Sequence, residues 1–500
     1  MKRIKLLAYA LAASVTIWSC RDALEIVQPG EVTEEVVFKT VADLKSFLIG
    51  NVYTSVDTSN EIALTSYFTD ETAITPTNSG WYFEEFRYGL RTDNSYVAGT
   101  WATHYRTINR VNRLIEAAKL MTPSPAEQAA YNSVLAEGYA VRAFSYLQLL
   151  SYFTTDMKNP GALGVILTTT VPDVYDQLPR VTNGEIYAQM EQDLNFASAN
   201  LLAPADPAPA NIYKYVTPQM INAVRARMYL YRGNYAMAKQ YAQEVINASN
   251  PMTIGTPFVQ SNFYVTTPSS NPYRRMWQDY EQGEIVFALS RPSVGPGGNI
   301  ASLWTTNTTS LTGSPLMGIG KNLYNLMNTG SDIRRWAFVD NTSNAPGVEV
   351  KVIDKYPGKG NTPLKNDVKV FRVTEMYLIL AEAAVAENQL GTAAGYIQQI
   401  RSARKYTAGP APLPVYTSQA EGYRDVLKER RVELSFEGHR YVDLRRLGAV
   451  AGVSIDRHPQ DDYFNSNTPL TLPITDYRWT FPIPQIEIAG NPGIVQNPGY

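Results

Sequence analysis

The sequence predicts a mainly α chain, a TPR-like helical-repeat scaffold joined to a second, irregular lobe that is rich in loops and holds short strands. Three observations predict it. Apolar residues recur at i, i+3 and i+4 over long windows; helix pairs built on small residues recur around a Gly or Asn turn; and two long stretches rich in Gly, Pro, Asn, Ser, Thr and aromatics interrupt that pattern.

Helical periodicity begins at Val41. From Trp101 the run Trp101, Tyr105, Ile108, Val111, Asn112, Ile115 marks an amphipathic helix that Pro123 ends. A second helix covers Ala136 to Leu150 and is expected to pair with Glu185 to Leu201. The clearest repeat lies between Ala223 and Ile246: one helix closes at Gly233, and Tyr235, Ala238 and Ala242 open an antiparallel partner whose small side chains let the backbones approach. Glu375 to Ala386 with Ala393 to Arg404 repeats the form around Asn388 and Gly391. The irregular stretches are Thr69 to Gly99 and 250–361, with short strands expected at Glu284 to Leu289 and Val348 to Ile353. Loops of that length in a helical body carry function or are disordered, and their aromatic content argues for order.

The N-terminus reads as an export signal, with basic Lys2, Arg3 and Lys5 before the apolar run Leu6 to Trp18, which is too short to span a bilayer. Cys20, the only cysteine, stands where that run ends, so its thiol is expected to carry a lipid anchor. Loss of residues 1–19 leaves 41 basic against 46 acidic residues, a balance of −5 that gives no reason to expect nucleic acid. No other window crosses a membrane; the most apolar, Tyr377 to Ala386, is broken by Glu382. The organisation expected is a signal peptide at 1–19, a lipid-anchored tether at 20–40, a helical region with repeat units and a ligand loop at 41–249, the loop-rich lobe at 250–361 and a C-terminal region at 362–500.

Catalytic signatures are missing: no nucleophile elbow, phosphate loop or dinucleotide fingerprint stands in the sequence, and no cofactor is expected. The densest charge cluster runs from Glu429 to Arg446. Glu429, Glu433 and Glu437 would repel in one i+4 row unless Arg430 and Arg440 intercalate, and His439 with Asp443 is too small a set for a metal, so a paired ionic network where helices dock is expected. Asp461 and Asp462 are adjacent and so point apart, a poor basis for glycosidase geometry. Binding has stronger candidates. Asn78, Trp81, Tyr82 and Arg87 in the first irregular stretch, with Trp277, Tyr280, Asn299 and Trp304 in the second, put flat rings beside amide and guanidinium groups. A sugar needs ring faces for its C–H surface and amides or arginine for its hydroxyls; a peptide can use the same amides for its backbone. The alternative for each Trp is an anchor that ties a loop to the helices.

Several blocks, in order along the whole chain, resemble the SusD/RagB family. They are the lipoprotein-type signal, Trp101-x3-Tyr105-x2-Ile108-Asn109-x2-Asn112-x2-Ile115, Ala136-Glu-Gly-Tyr-Ala-Val-Arg-Ala, Leu178-Pro-Arg, Tyr229-Leu-Tyr-Arg-Gly-Asn-Tyr, Arg372-x2-Glu375-Met-Tyr-Leu378, Glu429-Arg-Arg-Val-Glu-Leu-Ser-Phe-Glu-Gly-His-Arg440 with Asp443-Leu-Arg-Arg, and Phe481-Pro-Ile-Pro with Gln496-Asn-Pro-Gly-Tyr500. By length the chain is similar to the compact RagB-like branch. Two departures stand out: Tyr152 to Gly161 replaces a Gly-x-Val-Pro turn, and only Arg21-Asp22 follows Cys20 where an acidic tract is common. The resemblance implies a surface lipoprotein, not an enzyme, that captures an oligosaccharide or oligopeptide through its N-terminal and central loops. It also implies delivery, as a lid, to a SusC/RagA-type TonB-dependent transporter in the outer membrane. An adhesin-type structural lipoprotein or an outer-membrane hydrolase is the alternative.

Overall fold

A computed structural model describes residues 38–500 except 174, 204–209, 266–267, 296, 308–309, 346 and 361; the signal peptide, Cys20 and most of the tether lie outside the described residues. Helix α1 (Val41–Phe47) starts at a Thr40–Asp43 capping box and runs into a π-helical turn, Leu48–Tyr53. Helix α2 (Ser59–Phe68) is buried from Glu61 to Phe68 without a polar face, as expected of a helix enclosed on all sides. Helix α3 (Ser95–Lys119) begins six residues ahead of Trp101 because the Asn94 side chain accepts from the N–H groups of Tyr96 and Val97. It is followed by α4 (Gln128–Phe153), α5 (Asn183–Asn200), α6 (Pro218–Tyr231) and α7 (Tyr235–Ala248). In the C-terminal region come α8 (Val373–Ala386), α9 (Leu390–Ala403), α10 (Gln419–Glu433) and α11 (Arg440–Ala451).

These helices stack in sequence order: α3 on α4, α4 on α5, α6 on α7, α7 on α8, α8 on α9, and α10 on α8 and α11. The expected hairpins are therefore present as α4/α5, α6/α7 and α8/α9. Gly233 turns the second with φ +75°, and Asn388 turns the third with φ +59°. Ala223, Ala226, Ala238 and Ala242 are all buried, so the α6/α7 backbones come together on methyl groups.

Between α7 and α8 the chain has little helix. Among the described residues six short strands make three antiparallel pairs: β1 (Thr72–Ile74) with β5 (Met317–Ile319), β2 (Leu163–Ile166) with β3 (Arg180–Thr182), and β4 (Ile285–Leu289) with β6 (Val368–Arg372). The strand expected at Val348 to Ile353 is absent. Val352 gives its N–H to the Ser343 hydroxyl at 3.0 Å, so only single bridges, Val352 to Gly318 and Ile353 to Val339, form there. The loop-rich lobe is stitched to both neighbours, since β5 and β4 find their partners outside it. One contiguous hydrophobic cluster accordingly runs from Leu44 to Ile494.

The 429–446 cluster is the ionic docking network expected, but its pairing differs. Helix α10 ends at Glu433, and Phe436 and Gly438 turn the chain with φ +63° and +86°, so Glu437 and Arg440 leave the α10 row. Arg430 instead binds Asp443 at 2.7 Å, and Arg440 grips Asp70 with two bonds of 2.8 Å. Glu433 is answered from three other elements: by Arg372 at 2.8 Å, by Arg404 at 2.9 and 3.0 Å, and by Arg334 at 3.1 Å. Glu284 joins them through Arg372 at 2.5 Å and Arg404 at 3.0 Å. Burial works to raise the Glu433 carboxyl, but Arg404 and Arg372 hold it well below the usual carboxylate range. Burial and the surrounding Arg227 and Arg430 keep His439 neutral by pushing its pKa well down.

Replacing Glu433 by Ala would remove the one carboxylate that three buried guanidinium groups share, leaving them with fewer negative charges than the burial needs. Glu433→Ala is expected to cost about 3–5 kcal/mol of folding stability, measured as the shift in urea midpoint at constant m-value.

Candidate functional site

Beyond β1 the chain forms a loop whose backbone is held from below. Thr75 donates its hydroxyl to Pro315 O at 2.5 Å. Asn78 is buried and fully engaged: its amide donates to Leu316 O at 2.9 Å and Trp81 O at 3.0 Å, while its oxygen accepts from the N–H groups of Gly80 at 2.9 Å and Trp81 at 2.8 Å. Asn78 therefore shapes the loop, leaving no free amide for a ligand. The product of that shape is Trp81, which is 55% exposed. Next to it Tyr82 adopts φ +63° and stacks on Tyr67, centroids 4.1 Å apart and planes at 7°. A left-handed tyrosine is uncommon, and here the stack holds it.

A helical turn, Phe83–Phe86, then delivers Arg87, whose guanidinium lies 4.4 Å over Phe83 and makes two bonds to Asp462, at 2.9 and 3.2 Å. Burial acts to raise the Asp462 carboxyl, and bonds from Arg87 and Thr468 bring it below its ordinary value. The same carboxylate accepts from the N–H groups of Phe464 and Asn465, both at 3.1 Å, and so folds the turn that presents Tyr463 and Phe464. These rings are 61% and 50% exposed, and Phe464 leans on Phe83 with centroids 5.6 Å apart. Asp461 faces away, accepting from the N–H groups of Lys321 and His458 at 3.0 and 2.8 Å. Beside this surface is a cavity of about 350 Å³ walled by Thr75, Pro76, Lys351, Gln460, Asp462 and Tyr463. Exposed rings, a fixed ion pair and hydroxyl- and amide-bearing walls make a surface suited to a polyhydroxylated ligand.

The second group of expected residues is elsewhere. Trp277 is 0% exposed, enclosed by Tyr273, Phe338 and Tyr356, with the Lys355 and Lys369 ammonium groups 4.6 and 5.3 Å from its ring. Trp304 is 3% exposed and stacks on Tyr356 at 5.9 Å. Both correct the ligand-facing expectation: the loops crossing the ionic core need large apolar anchors, and these two rings supply them. Tyr280 is half-buried and closes the Pro272–Trp277 helix by giving its N–H to Arg275 O at 3.0 Å. Asn299 starts a short 3-10 turn whose Ser302 hydroxyl returns to its carbonyl at 2.6 Å. Neither of them lines the cavity walled by Thr75 and Tyr463. Tyr463 and Phe464 were not expected; the signal was an adjacent aromatic pair inside the polar run Asp461 to Asn467. Among the described residues no group of three or more His, Cys, Asp or Glu side chains could hold a metal, and no helix is long and apolar enough to cross a membrane.

Comparison with known proteins falls on one group. Residues 330–500 match the profile described as the SusD family, and residues 27–230 match one described as "Starch-binding associating with outer membrane". A SusD-like protein of Formosa agariphila is 24% identical over the whole of both chains, and a SusD-like protein of Bacteroides ovatus is 21% identical over 73% of this chain and 68% of its own. Among solved structures, a SusD superfamily protein of Bacteroides thetaiotaomicron superposes with a TM-score of 0.73 at 24% identity, covering 92% of this chain and all of its own. A protein of Bacteroides vulgatus titled a putative sugar binding protein gives 0.72 at 22% identity, covering 93% of this chain and 99% of its own.

The burial difference among the tryptophans is directly measurable. Trp277→Ala and Trp304→Ala are each expected to lose about 3–5 kcal/mol of stability, whereas Trp81→Ala should stay within about 0.5 kcal/mol of the native chain, all three read from denaturant midpoints.

Proposed function

The chain belongs to the SusD/RagB family, and from that premise we propose that it is a glycan-binding protein of the outer membrane that captures oligosaccharide for a SusC/RagA-type TonB-dependent transporter. The observation carrying the binding reading is Trp81, a large exposed ring on a loop whose buried polar groups are already satisfied. Such a ring is positioned before the ligand arrives, so little conformational entropy is lost on binding. Tyr463 and Phe464 add exposed rings, and Gln460 on the cavity wall beside them offers its side-chain amide for hydroxyls. The matching profile described as starch-binding and the solved structure titled a putative sugar binding protein support glycan over peptide. Delivery as a lid, with Cys20 acylated and the body facing outward, completes the reading and is supported by the signal-like N-terminus and the family's resemblance blocks.

Trp81→Ala and Tyr463→Ala are each expected to weaken oligosaccharide binding by roughly 1–3 kcal/mol, with unchanged melting temperature, when a panel of oligosaccharides and oligopeptides is titrated calorimetrically. Affinity kept in both variants would move the site off this surface, and a response only to peptides would replace the glycan. For the anchor, Cys20→Ala is expected to shift the protein from the detergent phase to the aqueous phase in a partitioning assay.

A further inference from the structure

A second cavity, of about 330 Å³, opens where the π-helical turn Leu48–Tyr53 meets α3 and the segment after β4, and it shares no residue with the cavity beside Tyr463. Its size is within the range of about 300–1,000 Å³ usual for small-molecule sites. The wall is already rigid. Tyr53 donates its hydroxyl to Glu137 and accepts the Val216 N–H at 2.9 Å, and Tyr215 packs edge-on against it with centroids 5.4 Å apart. π-Helical turns are rare and recur at functional positions, and this one places Tyr53 at the wall.

The charges of the wall are unequal. Arg291 is committed to Asp57 at 2.7 Å and to Gly298 O at 2.8 Å, and Lys214 is committed to Asp367 at 2.8 Å. Arg106, on the face of α3 toward the cavity, is exposed and has no hydrogen-bond or ion-pair partner among the described residues. Three cations thus face one carboxylate, Asp57, and one of the three has its full donor fork unused. A guanidinium fork matches the paired oxygens of a carboxylate or sulfate, tyrosine rings suit the C–H face of a pyranose, and the Thr103 hydroxyl on the same wall suits its alcohols.

We infer that this cavity is a second ligand site, selective for an acidic sugar whose carboxylate or sulfate is taken by Arg106 while its ring lies against Tyr53 and Tyr215. The site is independent of the Trp81 surface, so the two readings fail separately. Calorimetric titration of the whole chain with glucose, glucuronate and glucose 6-sulfate tests it. One or both acidic sugars should bind at least about tenfold more tightly than glucose. That preference should weaken as salt rises, fall about tenfold in Arg106→Ala, be partly kept in Arg106→Lys, and be untouched in Trp81→Ala. Of the two probes, preference for glucuronate would identify a uronate and preference for the sulfate ester a sulfated sugar. Glucose bound as well as both acids, no binding of either acid, an Arg106→Ala titration that superimposes on the native one, or loss of the preference in Trp81→Ala overturns the inference. Melting temperatures of the variants are expected to match the native chain because the Arg106 guanidinium has no hydrogen-bond or ion-pair partner among the described residues.

Discussion

Glu433 is a fully buried carboxylate held by Arg334, Arg372 and Arg404, and the rest of the molecule is arranged around keeping that charge answered. An ion taken out of water costs several kcal/mol unless its partners are in place, so the four residues stand or fall together. They come from four different elements: the end of α10, the Ile333–Phe338 turn of the loop-rich lobe, the end of β6 and the end of α9. The lobe therefore does not dock on the scaffold as a separate body. Lys355 closes the arrangement from the lobe's side, donating to the carbonyls of Glu433 and Ser435 at 3.1 and 2.7 Å and to Glu437 at 2.6 Å.

The same network reaches the Trp81 loop. Asp70, between α2 and β1, accepts from Arg440 on α11, and Arg457 just beyond α11 donates to the carbonyls of Thr69 at 2.8 Å and of Tyr67 and Phe68 at 2.9 Å. The base of the Trp81 loop is thus fixed by the C-terminal region, as its tip is fixed by Asn78. Tyr82 can sit in a left-handed conformation because both ends of its segment are pinned. Exposure of Trp81 is a product of satisfied backbone groups rather than of looseness.

The helical hairpins were legible because their burial is local: alternation at 3.6 residues, a Gly or Asn turn, and alanines at the contact appear within one window of sequence. Helix starts were less legible, since α3 and α4 begin in residues whose helicity comes from a cap or from the turns that follow. The character of the tryptophans was not legible at all. Trp81, Trp277 and Trp304 each stand in a polar, glycine-containing stretch of sequence, yet one is exposed and two are enclosed by rings contributed from distant segments, among them Tyr356 and Phe436. Asp462 shows the same limit. Its divergence from Asp461 was legible from their adjacency, but its bond to Arg87, 375 residues away in sequence, has no local signature.

The pairing of Asp70 with Arg440 spans 370 residues, which gives the fold an order in time. At the usual 5–20 residues per second, roughly 20–75 s of synthesis separate the two. Until then α2 and β1 lack the arginines that make burial of Asp70 affordable, and Glu284 lacks Arg372 and Arg404 in the same way. The nascent chain keeps these carboxylates in water, where they repel collapse around them. The Asp70–Arg440 contact can close only after α11 has been made, and contacts of such sequence separation are the slow ones to form.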